Sequence, residues 1–118
     1  MKNNVLKDRS FELAVEIILV YRHLTHEKQE FIMSRQVLRS GTSVGANISE
    51  GVSAQTKKEF CYRLALAYRE ARETEFWLRL LCTAGYMTFE RANQAMGKCD
   101  EVIRLLFAIL RTADNKAE

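Results

Sequence analysis

The chain has 118 residues, a length that suits one domain. It is 47% hydrophobic and 28% charged, a globular balance that excludes a disordered polymer. With no proline, five glycines and a net charge of +3, it is built for long helices rather than many tight turns, and is too mildly basic for charge alone to name a nucleic-acid binder.

The first predicted helix spans about 8–24. Asp8 or Ser10 supplies an oxygen for its unpaired first-turn N–H groups. Ala14, Ile17, Tyr21 and Leu24 fall at helical spacing, with Phe11 and Ile18 beside them as the expected buried face. Glu12 and Glu16 interrupt the apolar run from Phe11 to Tyr21, so it reads as an amphipathic helix, not a membrane span or the core of a signal peptide. A cytoplasmic location is the expectation. No glycine or proline marks the next break. A turn is placed in His23–Gln29 because an unbroken helix from Asp8 to Ala54 would be far too long for a globular domain.

The second predicted helix spans about 30–54. Phe31, Leu38, Gly45 and Val52 recur every seven residues, with Gly41 and Ile48 on the same face. Between Ser40 and Thr56 the only charge is Glu50, and residues 40–49 are mostly poor helix formers. Gln36, Arg39, Ser43, Asn47 and Glu50 form a polar stripe opposite that seam, expected to be sheltered and internally hydrogen-bonded.

The third predicted helix, about 57–84, opens on the capping box Thr56-Lys57-Lys58-Glu59. Phe60, Leu64, Ala67, Ala71, Thr74, Leu78 and Leu81 alternate by four and three residues as its core face, and Gly85 is placed to end it. Tyr62, Leu66, Trp77 and Leu80 gather on the opposite side. That second apolar face predicts a subunit contact; the competing reading is long Arg and Glu side chains draped over surface aromatics. Thr88 caps the fourth predicted helix, about 88–112, whose seam is Ala92, Met96, Cys99, Ile103, Leu106 and Leu110, followed by a polar, frayed tail. Four amphipathic helices with short turns predict a single-domain, all-α, up-down-up-down antiparallel four-helix bundle.

No catalytic constellation emerges. Cys61, Cys82 and Cys99 are odd in number and lack CxxC spacing, so they read as reduced thiols packed in helices. His23 and His26 lack a third ligand nearby, which leaves them as favourable charges at a helix C-terminus rather than a metal site. Neither Ser40–Thr42 nor Gly45–Asn47 has the spacing of a phosphate loop. Glu70, Glu73 and Glu75 alternate with Arg69, Arg72 and Arg79 as a salt-bridged face. The cations Arg35, Arg39, Lys57, Lys58, Arg63, Arg69, Arg72 and Arg79 are the candidate phosphate contacts, and a surface kept charged for solubility is the competing reading.

The run from Ser34 to Gly51 resembles the signature of the bacterial four helix bundle protein family, also called the 23S rRNA intervening-sequence protein or S23 family. Its pattern is a glutamine, an arginine, then Ser-x-Ser-x-x-x-Asn-Ile-Ala-Glu-Gly. Gln36, Arg39, Ser43, Asn47, Ile48, Glu50 and Gly51 stand in those places, Ser49 replaces the commoner alanine, and Gly45 sits within the motif. Lys58-Glu59-Phe60, Leu64–Ala67 and Gly85-Tyr86 extend the likeness, though a proline common between the first two helices is missing. The resemblance implies a four-helix bundle that, in known relatives, assembles as a homopentamer; the expectation of no enzymatic activity, cofactor or metal comes from the lack of a catalytic constellation, since the family's biochemical role is mostly unassigned. In one branch, the accessory variability determinant of diversity-generating retroelements, the partners are nucleic acid and a reverse transcriptase. An oligomeric adaptor for RNA or DNA is therefore the leading expectation, and a protein–protein scaffold with no nucleic-acid role the alternative.

Overall fold

The computed structural model describes residues 2–117, which form four helices: α1 (Lys2–His26), α2 (Met33–Val52), α3 (Lys57–Thr83) and α4 (Phe89–Ala117). Each packs against two neighbours, α1 on α2 and α4, and α3 on α2 and α4. The short links at 27–32, 53–56 and 84–88 reverse the chain each time, giving the up-down-up-down antiparallel bundle that the sequence predicts. The bundle measures 48 × 21 × 20 Å.

Helix ends follow identifiable chemistry. Thr56 Oγ1 accepts the Glu59 N–H at 3.1 Å, which is one half of the expected capping box. The other half is absent, because the Glu59 carboxylate turns to Arg63 instead. At the far end Gly85 adopts φ +88°, the Tyr86 N–H reaches Leu81 O and the Gly85 N–H reaches Cys82 O, a left-handed glycine stop. Thr88 Oγ1 accepts the Arg91 N–H at 3.2 Å, as the sequence suggests.

The first turn lies later than its sequence reading. α1 runs to His26, and Gln29 takes the left-handed position (φ 55°) that glycine usually fills. Glu30 does not begin the second helix. Its buried carboxylate caps it, accepting N–H bonds from Ile32 (3.1 Å), Met33 (3.0 Å) and Ser34 (2.7 Å). Burial works against the charge, but the three donors prevail and hold Glu30 below the usual carboxylate range. At the other end of the first helix, Asp8 and Ser10 are not caps. The helix starts near residue 2, and Ser10 Oγ donates back to Lys7 O.

The core differs in register from the sequence reading for two helices. α1 buries Leu6, Leu13, Ile17, Val20 and Leu24, whereas Phe11 and Ile18, expected inside, point to solvent. α2 buries Val37, Gly41, Val44 and Ile48, so Leu38, Gly45 and Val52 fall at the margin and Phe31 lies outside the helix. The α3 face is as read, except that Phe60 is half-buried. In α4, Ala95 and Val102 join Ala92, Cys99, Ile103 and Leu106 in the core, Met96 and Leu110 are half-buried, and the helix continues past Thr112 to Ala117. All three cysteines are free. Cys99 donates to Ala71 O at 3.2 Å, and burial pushes its thiol up to about 12.

Two glycines set how closely the helices approach. A Cβ on Gly41 would lie 2.7 Å from Ile17 Cγ1, and one on Gly51 would lie 2.6 Å from Leu64 Cδ1. By contrast, a Cβ on Gly97 in α4 would meet nothing within 4 Å. Gly41→Ala should therefore cost about 1–3 kcal/mol through overpacking, while Gly97→Ala should add up to about 1 kcal/mol of helix propensity; urea denaturation of the two variants measures both signs. For Glu30, a carboxylate depressed in the folded state stabilises fully above its unfolded pKa and loses that contribution as pH falls through the lower folded value. Glu30→Gln should thus be less stable than the parent at pH 7, and the gap should close as pH drops below about 4, followed by thermal melts across pH 2–7.

Candidate functional site

The signature residues converge on the seam between α2 and α3. Arg39 projects from α2 across to α3, where its guanidinium bonds the Glu70 carboxylate at 2.8 Å and pairs with Glu73. Trp77 Nε1 donates to Glu73 Oε2 at 3.0 Å. That bond, together with Arg39, holds Glu73 below the usual carboxylate range. Beneath this layer Thr74 Oγ1 lies 2.8 Å from both Glu70 O, to which its one O–H donates, and Ser40 Oγ, whose hydroxyl it accepts, bonding α2 to α3 inside the core.

One end of the seam is closed by Arg63 of α3. It reaches Glu50 at 3.1 Å on α2 and Glu59 at 3.1 Å on its own helix, and lies 3.5 Å from Asn47 Oδ1. Asn47 Nδ2 and Ser43 Oγ each bond a backbone carbonyl one turn back, to Ser43 and Arg39 respectively. The polar stripe is thus only partly sheltered. Ser43 and Asn47 are half-buried, and Gln36, Arg39 and Glu50 are exposed. This corrects the expectation of a buried stripe: α3 partners meet Arg39, Asn47 and Glu50 along the rim, while Ser43 and the Asn47 amide bond carbonyls of α2 itself. Gly45 lies on the other flank, where a Cβ would be 3.5 Å from Ser10 O of α1.

These pairings sort the candidate phosphate contacts into two groups. Arg39 and Arg63 are committed to carboxylates, as is Arg72, which meets Glu75 at 3.3 Å. Among the described residues Arg35, Lys57, Lys58, Arg69 and Arg79 have no carboxylate within 4 Å; Arg35 Nε bonds only Phe31 O. The expected salt-bridged ladder within α3 is therefore mostly absent: Glu70 and Glu73 serve α2, and Arg69 and Arg79 stand alone.

The second apolar face of α3 is present but differs in membership. Tyr62 and Leu80 are exposed, as the contact reading requires. Leu66 and Trp77 are half-buried, with Trp77 packed against the core cluster and hydrogen-bonded to Glu73. Phe76, unremarked in the sequence, is exposed in its place and meets Trp77 edge-on at 5.3 Å. A larger outward face went unseen on α1, where Phe11, Val15, Ile18 and Leu19 lie opposite its buried stripe. Ala14 and the small residues Gly45 and Ala46 of α2 line a shallow groove beside Phe11.

Among the described residues no group of three or more His, Cys, Asp or Glu could hold a metal ion, and no helix is long and apolar enough to cross a membrane. His23 pairs with Glu27 near the end of α1. The arrangement offers hydrogen-bonded structure and charge.

A family model described as 23S rRNA-intervening sequence protein matches residues 2–108. The chain is also similar to a crystal structure from Bacteroides thetaiotaomicron, described as a protein with unknown function from the S23 ribosomal protein family. That likeness has 46% identity, a TM-score of 0.91, and covers 94% of this chain and 99% of that one. Among curated proteins none matches. The chain belongs to the 23S rRNA-intervening sequence protein family.

Proposed function

We propose that this member of the family is a non-enzymatic, homo-oligomeric adaptor that binds nucleic acid through its phosphates. The observation that carries the reading is the set of α3 cations with no carboxylate within 4 Å among the described residues, Lys57, Lys58, Arg69 and Arg79, while neighbouring arginines are locked in ion pairs. Unpaired Lys and Arg side chains displace counterions from a phosphate backbone without reading sequence. The family's description, which refers to 23S rRNA intervening sequences, is consistent with a nucleic-acid setting.

Self-association of the chain is part of the same proposal. Exposed apolar faces on α1 (Phe11, Val15, Ile18, Leu19) and α3 (Tyr62, Leu80) exceed the scattered apolar residues of a monomer's surface. Covering them with further copies, in a pentameric ring as the resemblance implies, repeats each subunit's uncompensated cations around one axis and multiplies the local field. The adaptor's partner enzyme in this proposal is a reverse transcriptase, brought to the nucleic acid the ring holds.

The test is fluorescence polarisation of a labelled duplex DNA at 50 and 200 mM salt, with the mass of the same sample measured by sedimentation. Four phosphate contacts per bound subunit correspond to an affinity loss of about 100-fold between the two salts. Lys57→Glu with Lys58→Glu should abolish binding while leaving helicity and mass unchanged. Undetectable binding at 50 mM salt sinks the nucleic-acid reading, and leaves the scaffold role if the mass is a multiple of 13.7 kDa.

A further inference from the structure

Aromatic rings and guanidinium groups alternate along the groove between α3 and α4. Phe89, at the start of α4, lines a hollow with Arg79 and Met96. Arg79 and Met96 also line the next hollow, together with Phe76 and Arg72. Arg72 lies over the Tyr68 ring at 5.8 Å, and Tyr68 lies 6.4 Å from Phe107 with the rings tilted at 39°. Phe89, Arg79, Phe76, Arg72, Tyr68 and Phe107 are therefore one contiguous track.

Core packing does not account for it. The core closes beneath the track with Ala71, Leu78, Ala92, Cys99 and Leu106. Phe89, Phe76 and Phe107 remain 71%, 57% and 52% exposed. Arginine stems draped over surface rings account for Tyr68 under Arg72, but not for three open phenylalanines. Once internal pairs are set aside, the unpaired groups beside the track are Arg69, Arg79 and Arg111 against Glu90 and Asp114, three cations to two carboxylates among the described residues. Glu75 is held by Arg72 and Asp100 by Arg104 at 2.9 Å, while Arg69, Arg79 and Arg111 have no carboxylate within 4 Å among the described residues. Arg79 sits between Phe89 and Phe76, and Arg111 follows Phe107 by one turn on the same face, so an unpaired cation stands beside each end ring.

We propose that this track is a stacking platform for single-stranded nucleic acid. Unpaired bases lie on Phe89, Phe76 and Phe107, and Arg69, Arg79 and Arg111 hold the phosphates between them. Base–aromatic stacking beside a cationic groove is how sequence-tolerant single-strand binders work. Phe89 and Phe107 are about 27 Å apart along α4 at 1.5 Å per residue, a span that suits sites of about 4–16 nucleotides. The inference rests on the nucleic-acid reading above and deepens it. Phosphate contacts alone accept duplex and single strand alike, whereas a duplex keeps its base faces occupied and cannot use the rings.

The experiment uses the full chain and two fluorescent probes, a 20-nucleotide oligo(U) and a 20-base-pair duplex, in polarisation titrations. Phe76→Leu, Phe89→Leu and Phe107→Leu are combined, since leucine keeps apolar bulk and removes the π face. The expected result is preference for the single strand in the parent. The triple variant should lose at least about 100-fold of that affinity, given the usual strength of stacking per base, with duplex affinity changed less than about threefold. Circular dichroism confirms folding, and Phe→Tyr at the same positions should restore single-strand binding. Equal parent affinity for both probes, or a triple variant that keeps its single-strand affinity, overturns the platform and leaves the phosphate reading standing. If the leucine variants keep oligo(U) binding and lose only self-association, the track is a subunit contact instead. Failure of the parent to bind either probe at 50 mM salt overturns both readings.

Discussion

α2 is helical because its neighbours come close enough to hold it. Its middle, Ser40 to Ser49, combines glycine, serine, threonine, asparagine and β-branched valine, which favour other backbone conformations in isolation. The same small side chains let α1 and α3 approach. Ile17 occupies the space that a Cβ of Gly41 would fill, and Leu64 does so at Gly51. The buried Ser40–Thr74 bond and the Glu30 cap then supply polar contacts that this sequence cannot make within its own helix. A weak helix former becomes the centre of the two most extensive helix packings in the bundle, and the positions of α1 and α3 follow from it.

That arrangement has a consequence for charge. Drawing α3 against α2 places Glu70 and Glu73 opposite Arg39, and Glu50 and Glu59 around Arg63. These exposed or half-exposed pairs add little stability individually, because water screens them and ordering long side chains is costly. Their larger effect is on which cations remain available. Two arginines are neutralised at the seam, and the unpaired positive charge moves to the start of α3 and to its far side, where α4 brings in three open phenylalanines. Arg39, Asn47, Glu50 and Gly51 of the family motif thus make contacts within the bundle.

The sequence displayed the fold more clearly than the surface. α3 was legible almost residue by residue, because its threonine cap, four–three seam and terminal glycine are local signals. α1 was misread for a physical reason. From Leu13 to Tyr21 only Glu16 is polar, so periodicity cannot tell which apolar stripe faces inward, and Leu6, Leu13 and Val20 were passed over for Phe11 and Ile18. In α2 the heptad through Leu38 and Gly45 misplaced the seam, since the residues that bury are chosen by closeness to Ile17 and Leu64 rather than by size. Glu30 as a cap had a visible trace, an acid three residues before the helix, hidden by the lack of glycine or proline in the turn. The α3–α4 track and the Arg39 and Arg63 pairings depend on which helices are neighbours, and no single-helix pattern encodes that.

The dependence of α2 on its neighbours can be read directly from amide hydrogen exchange at neutral pH, where core amides open only with global unfolding. If α2 is clamped as described, the amides of Val44 to Ile48 exchange as slowly as those of Ala71 to Leu78 in α3, within about tenfold. Exchange in Val44 to Ile48 faster by a hundredfold or more, while α3 stays protected, would show α2 opening on its own and contradict the account.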